Sequence, residues 1–254
     1  KGLFTKELDA ALIDGRIDLA VHCVKDMETL LAPGIAVPAI LPREDPRDAL
    51  ISRDGTVFEQ LPEGAVIGTT SLRRQAQLKA RRPDLRIVTF RGNVQTRLRK
   101  LDAGEADATL LAISGLIRLD MAGTATEVFD DDVLLPAVGQ GALAIACRDG
   151  DAATGDLLAA FDDATARTEI TAERALLETL DGSCRTPIAG LARVSGGDLH
   201  LRGLVAETDG RAVWRGERRG AASDAVAMGR DLGQELRAQA GEDFFRRLGE
   251  NSTG

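Results

Sequence analysis

The chain has 254 residues, of which 44% are hydrophobic and 28% charged, and its formal net charge is −8. No apolar run approaches the roughly 20 residues needed to span a membrane, and the negative balance argues against nucleic-acid binding as a whole-surface property. Cys23, Cys147 and Cys184 lack CxxC spacing, so neither a disulfide framework nor a zinc site is expected. With no apolar leader-like stretch in residues 1–7, the expectation is a reduced, cytosolic setting.

Residues 5–14 read as an amphipathic helix, with Leu8, Ala11 and Leu12 on one face and Gly15 at its end. Residues 17–21 form an apolar run suited to a buried parallel strand, leading into His22-Cys23-Val24-Lys25-Asp26. Polar groups where a strand gives way to a loop are where open α/β sheets bind ligands. Residues 42–46, rich in proline and charge, read as a crossing between two lobes. Strand, turn and helix then alternate, with strands predicted at 65–67, 86–90 and 108–113 and helices from 72 and over 94–103. That alternation implies βαβ units and a parallel sheet. Residues 136–141 read as the return crossing, followed by an apolar run at 142–147.

From about residue 165 the pattern changes. A helix is predicted over 168–180, ending in the loop Asp181-Gly182-Ser183-Cys184. Three strands follow near 188–194, 199–206 and 212–217, with hairpin turns at Gly196-Gly197 and Asp209-Gly210. One long helical pattern over 221–248 closes an α+β domain with a small antiparallel sheet.

Basic residues concentrate between Arg73 and Lys100, against the single acid Asp84. Gly68-Thr69-Thr70-Ser71-Leu72-Arg73-Arg74 stands before a helix, where unpaired N–H groups and the dipole favour anions. Its guanidiniums can grip carboxylates in bidentate fashion. A plain helix cap is the simpler reading of the hydroxyls. Arg91-Gly92-Asn93, with Arg97 one turn on, forms a second cationic cluster at an equivalent strand end. Two such sites on one cleft suit a ligand carrying several carboxylates. Lys25-Asp26 fits either a carboxylate that stabilises a developing cation or a local cap or surface pair. Cys184, beside Arg185, reads either as a structural cysteine or as a thiol activated by its neighbour.

Taken together, several stretches resemble the hydroxymethylbilane synthase (porphobilinogen deaminase) family. They are Lys1-Gly2-Leu3-Phe4, Val21-His22-Cys23-Val24-Lys25-Asp26, Arg43-Glu44-Asp45-Pro46-Arg47-Asp48-Ala49 and Gly68-Thr69-Thr70-Ser71-Leu72-Arg73-Arg74-Gln75. Arg91-Gly92-Asn93-Val94-Gln95-Thr96-Arg97, Leu135-Pro136-Ala137-Val138-Gly139-Gln140-Gly141-Ala142, Gly182-Ser183-Cys184 and Arg215-Gly216-Glu217-Arg218-Arg219-Gly220 continue the series in the family's order. The resemblance implies two periplasmic-binding-protein-like α/β lobes and a C-terminal α+β domain. Its expected boundaries are 1–41 with 142–159, then 47–135, then 164–254.

It also implies an enzyme that condenses four porphobilinogen molecules head to tail, each losing ammonia, and then releases the linear tetrapyrrole by hydrolysis. Chain growth starts on a dipyrromethane attached by a thioether to the cysteine matching Cys184. Asp26 matches the catalytic carboxylate. Lys25, Thr69, Ser71, Arg73, Arg74, Arg91, Arg97 and Arg118 are the expected binding residues for the acetate and propionate groups of the pyrroles, with Gly92 and Gln140 as further cofactor- or substrate-binding residues. No metal, nucleic acid or membrane partner is implied, and a monomer is expected. The family pattern has a strand and helix before Lys1, so an incomplete first lobe is expected. Cys23 stands where serine is usual, and Met27-Glu28 where a hydrophobic-Pro pair is usual, which implies a less rigid loop after Asp26. A non-catalytic two-lobed carboxylate-binding protein would explain the arginines but not Cys184 or the third domain. A nucleic-acid module would rest on residues 73–100 alone, where Phe90 is the one aromatic.

Overall fold

Local signals place most of the elements. The computed structural model describes residues 3–182 and 186–252, with side chains over 5–182 and 186–248. The chain begins with α1 (Leu3–Ile13), β1 (Leu19–Cys23), β2 (Ile35–Ile40), β3 (Asp48–Ser52) and β4 (Val66–Gly68). It continues through α2 (Leu72–Arg81), β5 (Arg86–Val88), α3 (Val94–Asp102), β6 (Ala108–Ala112), α4 (Ile113–Arg118) and β7 (Glu127–Val128). Then come β8 (Leu143–Arg148), α5 (Ala152–Ala159) and α6 (Ala164–Thr179). The last part holds β9 (Ile188–Ser195), β10 (Asp198–Ala206), β11 (Val213–Ala221), α7 (Ala225–Ala240) and α8 (Glu242–Ser252). Side-chain caps start four of the helices: Ser71, Asn93, Asp151 and Asp163 each accept the backbone N–H three residues on.

Three sheets result, ordered β1-β8-β2, β5-β4-β6-β3-β7 and β11-β10-β9. The first corrects an expectation. The run at 17–21 becomes a strand over Leu19–Cys23, and it pairs antiparallel with β8, as does β2. Burial alternates along it, with Ala20 and His22 inside while Leu19 and Val21 face out. A strand wet on one face suits antiparallel pairing, whereas parallel strands are covered on both. In the second sheet β4 is parallel to β5 and β6, as the alternation implied. β3 is antiparallel to both β6 and β7, because it enters from the crossing at 42–47 and not through a helical crossover. The third sheet is antiparallel throughout, with its core against α6 and α7. The single helix expected over 221–248 is broken: β11 runs to Ala221, and Gly241, at a φ of +79°, separates α7 from α8.

The crossings are pinned by charge. Arg43 Nη1 lies 2.6 Å from Glu173 Oε1 and 3.2 Å from Glu169 Oε2, all three side chains being buried. Glu173 also accepts the N–H groups of Gly139 (2.7 Å) and Ala192 (2.8 Å), so α6 holds the return crossing and β9 together. Removing one partner of such a buried pair typically costs about 3–5 kcal/mol. Gly141 is required where the crossings meet: at a φ of +89°, a Cβ there would lie 2.3 Å from the Glu44 carbonyl oxygen. The turn between β10 and β11 rests on α2, where Gln75 Nε2 donates to the Thr208 carbonyl at 3.1 Å.

Candidate active site

An open cleft of about 430 Å³ lies where the turn after β1, the return crossing, the α2 and α3 N-termini and the start of β9 converge. A single 3-10 turn, Val24–Asp26, carries β1 to its edge. Val24 anchors that turn, buried against Ile40, Ala142 and Ile170, with its N–H on the Ala142 carbonyl at 3.1 Å. The adjacent Lys25 and Asp26 therefore line the cleft. Asp26 is exposed and has no hydrogen bond or ion pair among the described residues.

The floor is built around Asp48, the first residue of β3, which is fully buried. Its carboxylate accepts Arg73 Nη1 (2.7 Å), Arg74 Nε (3.1 Å), Arg74 Nη2 (2.6 Å) and Gln140 Nε2 (2.9 Å). Burial alone would raise this carboxyl, but Arg73 and Arg74 hold it well below the usual carboxylate range. The guanidiniums reach further, Arg73 to the Leu135 carbonyl (2.8 Å) and Arg74 to that of Leu110 (2.9 Å). Gln140 passes the network on, because its Oε1 accepts Lys25 Nζ at 3.3 Å. Burial and then the Arg74 charge push Lys25 down to about 8, against the pull of Asp26 and Asp48.

Of the expected binding residues, Lys25, Ser71, Arg73, Arg74, Gly92, Arg97 and Gln140 line the cleft together with Asp26. Ser71 caps α2, accepting the Arg74 N–H at 3.4 Å. Arg97 Nε donates to the Gly92 carbonyl at 3.0 Å, and burial, then Arg74, lowers its guanidinium. The others lie elsewhere. Thr69 is buried and spends its hydroxyl oxygen on the Ser71 N–H at 3.1 Å, while Thr70 lines the cleft. Arg91 is exposed outside the lining, and Arg118 donates to the Gly141 carbonyl at 2.7 Å, bracing the crossing. Cys184 lies outside the described residues. Gly182, two residues before it, accepts the Thr29 hydroxyl at 2.8 Å.

The sequence alone does not single out Asp48 as a site residue. It sits inside Arg47-Asp48-Ala49, and nothing in its spacing links it to arginines 25 residues on. An acid opening an otherwise apolar strand, Asp48-Ala49-Leu50-Ile51, was the available signal.

Chemically, the lining carries Lys25, Arg73, Arg74 and Arg97 against Asp26, with Asp48 beneath. Cations outnumber acids, so the cleft is set for anions. Among the described residues one buried side-chain donor is left over: Arg73 Nε has no hydrogen-bond partner. Buried donors are rarely left so, and a ligand carboxylate would satisfy it.

The match to known proteins is extensive. Residues 1–156 match the family model described as porphobilinogen deaminase, dipyromethane cofactor binding domain, and residues 167–238 match porphobilinogen deaminase, C-terminal domain. Porphobilinogen deaminase of Paracoccus denitrificans is 53% identical over 245 residues, covering 96% of this chain and 78% of that protein. The corresponding figures for that of Nitrobacter hamburgensis are 51% over 245 residues, 96% and 78%. The chloroplastic porphobilinogen deaminase of Oryza sativa is 50% identical over 251 residues, covering 98% of this chain and 70% of that protein. Among solved structures, a putative methionine-binding lipoprotein of Bacillus subtilis aligns over 63% of this chain and 76% of its own, with TM-score 0.42 and 16% identity.

Proposed function

The chain belongs to the porphobilinogen deaminase family, and from that membership we propose a division of labour among its residues. Its activity is that of a hydroxymethylbilane synthase, a transferase of tetrapyrrole biosynthesis. Four porphobilinogen molecules are condensed with loss of ammonia on a dipyrromethane cofactor, and water releases the linear tetrapyrrole. The bound cofactor supplies the pyrrole carbon on which growth begins.

The donor set suits such a group. Every pyrrole ring carries an acetate and a propionate, and the floor offers rigid guanidiniums with one donor unfilled. In this reading Arg73, Arg74, Arg97 and Lys25 hold those carboxylates, with Ser71 and the N–H groups opening α2 and α3 beside them. Gln140 positions Lys25. Asp26 accepts pyrrole N–H groups, stabilises the positive charge that develops on the substrate as ammonia leaves, and takes up or returns the proton. Its freedom from partners among the described residues leaves both oxygens available for that work. Cys184 is the attachment point. Arg91, exposed beyond the cleft, is assigned to carboxylates of a longer product, and Thr69, Gly92 and Arg118 to shaping the turns and crossing around the site.

We further propose that the enzyme works as a monomer in the cytosol; among the described residues no helix is long and apolar enough to cross a membrane. A non-catalytic carboxylate binder is not favoured, because identity to deaminases extends over nearly the whole chain.

The observation that carries the residue assignment is the Arg73–Asp48–Arg74 cluster with its unfilled donor. The test is the intact mass of the denatured protein, followed by peptide mapping. A mass excess of two linked pyrroles on the peptide containing Cys184 is expected. Protein that remains unmodified there after incubation with porphobilinogen would overturn the attachment site.

A further inference from the structure

Met27 and Ala32 pack the ends of the loop after Asp26 against buried clusters, while its middle has little apolar burial to hold it. Residues 27–34 form no helix or strand, and Leu30 and Leu31 are 70% and 40% exposed. Two side chains tie it down. Arg174, on α6, donates through Nη2 to the carbonyls of Glu28 (2.9 Å) and Thr29 (2.7 Å). Thr29 in turn donates its hydroxyl to the Gly182 carbonyl at 2.8 Å.

Arg174 is an unusual donor. It is half-buried and has no carboxylate partner among the described residues. Burial lowers its guanidinium, and only the Glu178 charge opposes that. Burying a charge costs free energy unless hydrogen bonds compensate, and here the compensation comes from two carbonyls of the Asp26 loop. Its platform is firm, since the preceding residue is Glu173, locked by Arg43.

We propose that Arg174 and Thr29 are positioning residues that clamp the Asp26 loop to α6 and to the segment leading into Cys184. The clamp holds the Asp26 loop at a fixed spacing from α6 and from Gly182 while the product grows. It rests on the roles assigned above to Asp26 and Cys184. A reacting group displaced by about 1 Å can lose on the order of 100-fold in rate, so a loop with few other anchors needs such a clamp.

The test uses cofactor-loaded Arg174→Gln, Arg174→Lys and Thr29→Val, compared with the parent protein. Arg174→Gln is expected to lower kcat about tenfold while KM changes less than about twofold. Arg174→Lys should recover part of the loss, and Thr29→Val should show a smaller fall. Amide hydrogen exchange should quicken across residues 27–34 in each variant, whereas a merely structural role would lower the melting temperature and leave the kcat of the folded fraction untouched. Wild-type kcat and exchange in cofactor-loaded Thr29→Val and Arg174→Gln would overturn the clamp. If Arg174→Gln does not fold, Thr29→Val, which removes one hydroxyl, decides by itself. Failure of the underlying reading is seen separately, in a parent protein without a dipyrrole at Cys184 or an active Asp26→Asn, and would remove the clamp with it.

Discussion

At the floor of the cleft Asp48 is wholly buried and shared among Arg73, Arg74 and Gln140, whereas at its edge Asp26 is exposed and bonded to nothing among the described residues. The two aspartates lie 22 positions apart and have opposite surroundings. The Asp48 carboxylate has its acceptor capacity filled by the protein, which fixes the guanidiniums before any ligand arrives. The Asp26 carboxylate keeps its capacity unfilled among the described residues, free for substrate in the proposed reading, and only its backbone is restrained. A site that must accept a lengthening chain of polycarboxylates can combine a rigid anion floor with a free carboxylate, because orientation at the floor then costs nothing at each turnover.

That contrast can be broken in three ways. Asp26→Asn should lower kcat by roughly 10² to 10⁴, the usual contribution of a positioned acid–base group, while leaving the melting temperature near that of the parent. Steady-state rates and calorimetry check it, and near-normal turnover would end the assignment.

Asp48→Asn should do the reverse in emphasis. Two buried guanidiniums lose their counter-charge, and the expected destabilisation is about 3–5 kcal/mol in denaturant unfolding. The same carboxyl governs acid stability. Its folded-state pKa is depressed, so its contribution is complete above the ordinary carboxylate range and is lost as pH falls below it. The variant should therefore show a flatter acid limb than the parent. Unchanged stability would mean that the floor is not held by charge.

The smallest effect concerns Lys25. At about 8 in the folded chain against 10.5 unfolded, the lysine is protonated in both states below that window. Between the two values the unfolded chain retains a proton that the folded one has released, so this group's contribution to stability rises with pH there. Substrate binding should move the other way, because a cation facing carboxylates disappears. KM is expected to climb as pH passes about 8, and Lys25→Arg should flatten the climb, since guanidinium does not titrate there. A flat parent profile up to pH 9.5 would remove Lys25 from the binding set.

Much of this was legible beforehand, for local reasons. Ser71 and Asn93 announce the α2 and α3 N-termini because caps act within three residues. The run at 86–90, between a proline and a glycine, yields β5 at Arg86–Val88. Lys25, Arg73, Arg74 and Arg97 were nominated from strand ends and helix starts, and they do meet in one cleft. Thr69 and Thr70 could not be told apart in this way: which hydroxyl faces the cleft depends on the backbone path into α2, and Thr69 folds back onto Ser71.

What the sequence by itself determined was the class of the protein and the starts of α2 and α3, since motif order, caps and turn glycines are written in consecutive residues. The direction of β1 was decided only in three dimensions. β1 and β8 are separated by more than a hundred residues, and their antiparallel pairing follows from where the return crossing delivers the chain. The contacts of Asp48 and Arg174 were likewise set by tertiary packing. A buried carboxylate is defined by the charges packed around it, and an arginine that serves two carbonyls is indistinguishable in sequence from one that faces water.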